Sequence, residues 1–164
     1  MIANQRKDNA MTYKITGLDP APFAPLFAMD DAELAANNAR RITATADRGC
    51  PCRISLDDAK AGEAVILLHH VSHDVETPFR SAYAIYVRDR VETATYCDAL
   101  PPAFAGRTMA FRGFDDAGML AAARLGPGED GDAAIRDLFA DPRIAYIHAQ
   151  YATNGCFAAR IERN

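Results

Sequence analysis

Two thiols one residue apart, in Arg48-Gly49-Cys50-Pro51-Cys52-Arg53, are the first side chains in this chain whose spacing can do chemistry. His69, His70 and His73 follow, and the fourth histidine is His148. Thiolates and imidazoles ligate zinc or iron, so Cys50 and Cys52 with His69 and His73 form a weak candidate for a metal site. The spacing is loose. No second Cys-x-x-Cys or His-x-x-x-His element accompanies it, and strand alternation sends His69 and His70 to opposite faces. No metal or other cofactor is therefore expected. A thiol beside Arg48 and Arg53 also suits redox chemistry, because positive charge favours the thiolate. For nucleophilic catalysis the candidate pair is Cys52 with His148 as base. Packed thiols and a hydrogen-bonded core histidine are the structural alternatives.

The arginines point to a different chemistry. Arg53, Arg80, Arg88 and Arg160 each lie on or beside an expected strand, and a guanidinium there is either a solvated edge charge or a fork for a carboxylate or phosphate. If they converge, with Tyr86 between them, the natural ligand is a small anionic molecule.

The elements that must position these groups are mostly strands. Thr12 to Thr16 alternates, and Val65-Ile66-Leu67-Leu68 has no polar face, so that strand should be central and covered on both sides. Ser81 to Arg88 alternates again. Asp30 with Glu33 forms a capping box, and Met29 with Leu34 a hydrophobic staple, for a helix over Asp31 to Ala36. A single helical turn is expected near Ser55 to Ala59. Thr108 to Phe114 and Met119 to Leu125 pair as a hairpin through Asp115-Asp116-Ala117-Gly118. A helix over Asp132 to Phe139 precedes a second hairpin, Ile144 to Ala152 with Cys156 to Arg163, turning at Asn154-Gly155. A two-residue turn there sets Thr153 opposite Cys156 and His148 opposite Ile161, on an apolar face with Ile144, Tyr146 and Phe157. The reading is an α+β fold: an antiparallel or mixed sheet of about six to eight strands built from hairpins, with two or three short helices packed on it.

Composition bounds the function. With 18 Lys and Arg against 22 Asp and Glu, and a net charge of −4, the chain has no cationic surplus for a nucleic-acid backbone. No apolar run approaches the roughly 20 residues of a membrane-spanning helix. The opening residues are polar and lack a secretory apolar segment, so residues 1–10 are expected to be a flexible leader before one domain at 11–164, in a cytoplasmic protein. Gly126-Pro127-Gly128 lacks the lysine of a phosphate loop.

Several co-linear motifs carry a family resemblance: Gly49-Cys50-Pro51-Cys52-Arg53, Pro78-Phe79-Arg80-Ser81, Ile85-Tyr86-Val87-Arg88, Asp141-Pro142-Arg143-Ile144-Ala145-Tyr146-Ile147-His148 and Gly155-Cys156-Phe157-Ala158-Ala159-Arg160. From about Tyr13 to Arg163 the chain resembles the bacterial proteins grouped as domain-of-unknown-function family 1203. The resemblance implies no activity and transfers no residue role. Cys50 stands where the family pattern has a tyrosine, which weakens the Cys-x-Cys readings as general functions, and Tyr83-Ala84 replaces its Gly-Pro at the approach to the Ile85-Tyr86-Val87-Arg88 strand. The leading expectation is a binding or enzymatic domain for a small anion at Arg53, Arg80, Arg88 and Arg160 around Cys52 and His148. The alternatives are a module that forms a homodimer through its sheet, and a thiol or metal enzyme.

Overall fold

The computed structural model describes residues 11–164, so the expected leader lies outside the described residues. Nine strands are present among them: β1 (Tyr13–Thr16), β2 (Ala39–Thr43), β3 (Ala64–His73), β4 (Ser81–Arg88), β5 (Thr95–Cys97), β6 (Thr108–Phe114), β7 (Leu120–Pro127), β8 (Tyr146–Tyr151) and β9 (Cys156–Arg163). They form two antiparallel sheets rather than one: a large sheet in the order β5-β1-β9-β8-β6-β7 and a small sheet in the order β2-β3-β4. The helices are α1 (Asp31–Ala36) and α2 (Gly131–Phe139). The fold is thus α+β and mostly strand.

Local signals account for the element ends. Asp30 accepts from the Glu33 N–H at 2.9 Å and the Glu33 carboxylate accepts from the Asp30 N–H at 2.8 Å, the reciprocal cap that starts α1. In α2 the residues Ile135, Leu138 and Phe139 share one buried stripe, which packs with Phe111, Ile144 and Ile147 as the core of the large sheet. The small sheet packs Ile66, Leu68, Ile85 and Val87 against Leu34 of α1 and against Cys52 and Ile54. β3 is the middle strand, as its unbroken aliphatic run requires. Of that run only Leu67 keeps partial exposure, for a reason given below.

The second hairpin differs from expectation in register. Tyr151 pairs with Cys156 and His148 with Arg160, so four residues, Ala152 to Gly155, make the turn. A two-residue turn needs positive φ at both Asn154 and Gly155, yet only Gly155 adopts it, at +73°. A bulge between Ala149 and Gln150 then shifts the pairing again. Ile144 and Ile161 consequently belong to the α2 core, while His148 faces Phe157, Tyr146 and Phe114. A Cβ at Gly155 would meet open space, so Gly155→Ala is expected to cost only the left-handed backbone penalty, about 1 kcal/mol. Urea unfolding that shows no loss would place the turn's left-handed residue elsewhere.

The expected helical turn near Ser55 is instead part of a compact loop, residues 50 to 59. The Cys52 N–H donates to the Asp57 carbonyl at 2.9 Å, and the Leu56 and Ala59 N–H groups donate back to Cys52 and Cys50. Leu56, fully buried, takes a left-handed φ of +55°, which closes the loop and which a helical turn does not contain. Outward bonds fix the loop between the sheets: the Arg53 N–H reaches the Tyr86 carbonyl, while Leu18 and Ala94 donate to the carbonyls of Arg53 and Ile54.

Candidate functional site

That loop delivers Arg53 into the interior. Its side chain is 1% exposed, one of the most buried of the large side chains in the described residues. Nε donates to the Phe157 carbonyl at 2.7 Å, Nη1 to the Pro51 carbonyl, and Nη2 to the Cys156 sulfur at 3.1 Å. The guanidinium carbon lies 4.8 Å from the centre of the Tyr151 ring. No carboxylate among the described residues pairs with it. Two carbonyls, a thiol and an aromatic face solvate the cation in place of water, but they supply no full negative charge.

Arg53 lines a cavity of about 550 Å³ between the small sheet and the turn of the second hairpin. Leu67, Tyr83, Ala84 and Tyr86 form the small-sheet wall, and the cavity is what keeps Leu67 partly exposed. Tyr151, Thr153, Asn154 and Cys156 line the opposite side, and Gly106, Arg107 and Thr108 enter from the start of β6. Arg107 is already committed. Its two terminal nitrogens bond the Asp58 carboxylate at 2.8 and 2.7 Å, while its guanidinium carbon sits 5.4 Å from the Tyr151 ring centre. Burial alone would push the Asp58 carboxyl up. The hydrogen bonds from Arg107 and the Gly49 N–H, with the Arg107 charge, outweigh it and hold the group below the usual carboxylate range. Burial pushes the Tyr151 hydroxyl up to about 12, so it remains a hydrogen-bond donor at neutral pH.

The other predicted residues are dispersed. Tyr86 lines the cavity with Arg53. Arg88 is held away by Glu63 at 2.6 Å and Asp57 at 2.8 Å. Arg80 is exposed and paired with Asp74 at 2.8 Å. Arg160 is also exposed, stacked 3.9 Å over the Tyr146 ring and bonded to Glu162. Cys52 is fully buried in the small-sheet core and accepts from the Ile54 N–H, whereas His148 sits in a separate aromatic cluster, so the structure does not bring this pair together. Burial and the Asp58 charge push the Cys50 thiol up, which keeps it protonated and dull as a nucleophile. All four cysteines are unpaired.

The histidines are spread as well. His69 is exposed, and His70 packs between Phe23 and Phe157. Because a carbonyl only accepts, the His73 Nδ1 donates to Phe79 at 2.9 Å, and its Nε2 meets the Tyr146 hydroxyl at 2.7 Å. Among the described residues no group of three or more His, Cys, Asp or Glu side chains is placed to hold a metal ion.

Residue types alone did not single out Tyr151, Cys156, Arg107 or Asn154. The available signal was the Asn154-Gly155 turn, which must bring the ends of β8 and β9 together. Its wrong register hid that Tyr151 and Cys156 are direct partners.

This chain belongs to the family described as Protein of unknown function (DUF1203), whose model matches residues 49–163. The match begins at the Arg53 loop and ends with β9, so it contains both sides of the cavity. No curated protein and no solved structure matches the chain.

Proposed function

We propose that this member of the family binds a small anionic molecule in the cavity at Arg53. One observation carries the reading: a buried guanidinium lines a ligand-sized cavity with no carboxylate to neutralise it. Withdrawing a cation from water costs several kcal/mol, and neutral acceptors recover only part of that. An entering anion would supply the missing charge where screening is weak. The other polar groups on the wall favour the same sign. Tyr151 and the side chains of Thr108, Thr153 and Asn154 all offer donors, and the nearby Asp58 is occupied by Arg107. Arg80, Arg88 and Arg160 have no part in this version of the site.

The test is a thermal-shift and calorimetric titration of the full chain with acetate, citrate and inorganic phosphate at low salt. At least one of these should raise the unfolding temperature in a concentration-dependent way, since a ligand that binds only the native state stabilises it. Arg53→Met should weaken that anion at least tenfold. Because a buried substitution also perturbs the fold, Asn154→Asp serves as the second variant. It places a negative charge at an exposed position on the cavity wall and should weaken the same anion about fivefold, with the ligand-free stability unchanged. No response to any anion would remove the proposal.

A further inference from the structure

We infer that the ligand of this site, if the anion reading above holds, is a monocarboxylate with a flat apolar body rather than a phosphate. The charge available inside the cavity is the first reason. Arg107 is neutralised by a two-pronged bond to Asp58. Arg48 is exposed, donates to the Ala105 carbonyl and does not line the cavity. That leaves Arg53 as the one uncompensated charge on the wall. A dianion would bring a second negative charge into a site with Asp58 nearby and no cation left to meet it.

Donor arithmetic gives the same answer. A guanidinium carries five N–H groups. Three of those on Arg53 are engaged, by Phe157, Pro51 and Cys156, which leaves one on each terminal nitrogen. Two remaining donors equal in number the two oxygens of a carboxylate.

The remaining space selects the body. Leu67 and Ala84 give the small-sheet wall an aliphatic floor, and Pro51 continues it. Tyr86 pairs directly with Leu67 across β3 and β4, so its half-buried aromatic ring stands on the same face as Leu67 and Ala84. A planar apolar group lying over Leu67, Ala84 and Tyr86 would cover that surface while its carboxylate reached Arg53.

Four probes separate head from body: phenylacetate, acetate, phenyl phosphate and inorganic phosphate, each titrated into the full chain by calorimetry and by chemical-shift perturbation. Phenylacetate should bind at least tenfold tighter than phenyl phosphate, which shares its body, and at least tenfold tighter than acetate, which shares its head. Ala84→Asn, at an exposed position of that floor that leaves the core intact, should weaken phenylacetate about fivefold and leave acetate unchanged. Equal or tighter binding of phenyl phosphate overturns the carboxylate assignment but leaves the anion site standing. Equal binding of acetate and phenylacetate, or no effect of Ala84→Asn, overturns the apolar body. If none of the four binds, this inference and the anion site fall together.

Discussion

Gly17→Ala is expected to destabilise the protein by about 3 kcal/mol or more and to abolish the cavity at Arg53. A Cβ built on Gly17 would stand 1.9 Å from the Ile54 carbonyl oxygen and 3.2 Å from that of Arg53, both of them backbone atoms. A side chain can swing aside, but these carbonyls are held. The Arg53 carbonyl accepts from the Leu18 N–H at 2.7 Å and the Ile54 carbonyl from the Ala94 N–H at 3.0 Å. Relief therefore requires β1 and the loop to separate, which breaks those bonds and withdraws Arg53 from Phe157 and Cys156. Overpacking in a closed contact costs 1–3 kcal/mol even where side chains can adjust, and here the obstacle is main chain. Gly126→Ala is the control. A Cβ there meets nothing within 4 Å and its φ is not in the left-handed region, so its change should stay within about 0.5 kcal/mol. Urea midpoints measure both. A Gly17→Ala protein as stable as the parent would mean that the loop does not lie against β1 as described.

What was legible in the sequence follows the range of the forces involved. The α1 cap depends on Asp30 and Glu33, three residues apart, and it forms where those residues require it. The aliphatic run at Val65 to Leu68 requires cover on two faces, and β3 has it apart from the face of Leu67 that meets the cavity. The hairpin register was not legible, because Asn-Gly is compatible with more than one turn and the choice rests on the φ of Asn154. The arginines show the same limit more sharply. Arg53, Arg80, Arg88 and Arg160 look alike from their neighbours in the chain, but their fates depend on distant acids. Arg88 meets Glu63, 25 residues away, whereas Arg53 meets carbonyl and sulfur groups more than 100 residues away and no acid. Which guanidinium is left without a partner is a property of the assembled sheets. The lesson also covers Cys52 and His148: the loop seats the nucleophile in the small-sheet core, while β8 of the large sheet carries the base into the aromatic cluster.

Acid should begin to destabilise this protein above the pH at which its carboxylates protonate, and His148 should dominate the effect. The ring is 2% exposed, packed against Phe114, Phe157 and His73. Burial lowers its pKa from 6.5 to about 3, and coulombic interactions with His73 and Arg160 press in the same direction. The sign follows from where the proton goes. Folded, the imidazole stays neutral down to about pH 3; unfolded, it takes up a proton below about 6.5. Its contribution is therefore complete above pH 6.5 and is lost progressively as pH falls toward 3. At 1.36 kcal/mol per pH unit, roughly 2.5 kcal/mol is gone by pH 4.5. His70, lowered by burial and then by the charges of His69 and Arg53, adds a smaller loss in the same window. The carboxylates held below their usual range, Asp58, Glu63 and Asp132, lose their contributions only at lower pH, below their ordinary values of 3.8 to 4.5. In His148→Phe an aromatic ring fills the same cluster without a titratable group. The drop in urea midpoint between pH 7.5 and 4.5 should shrink to the share left by His70. If the variant and the parent lose stability equally over that interval, His148 is already solvated in the native state and the aromatic cluster does not shield it from water.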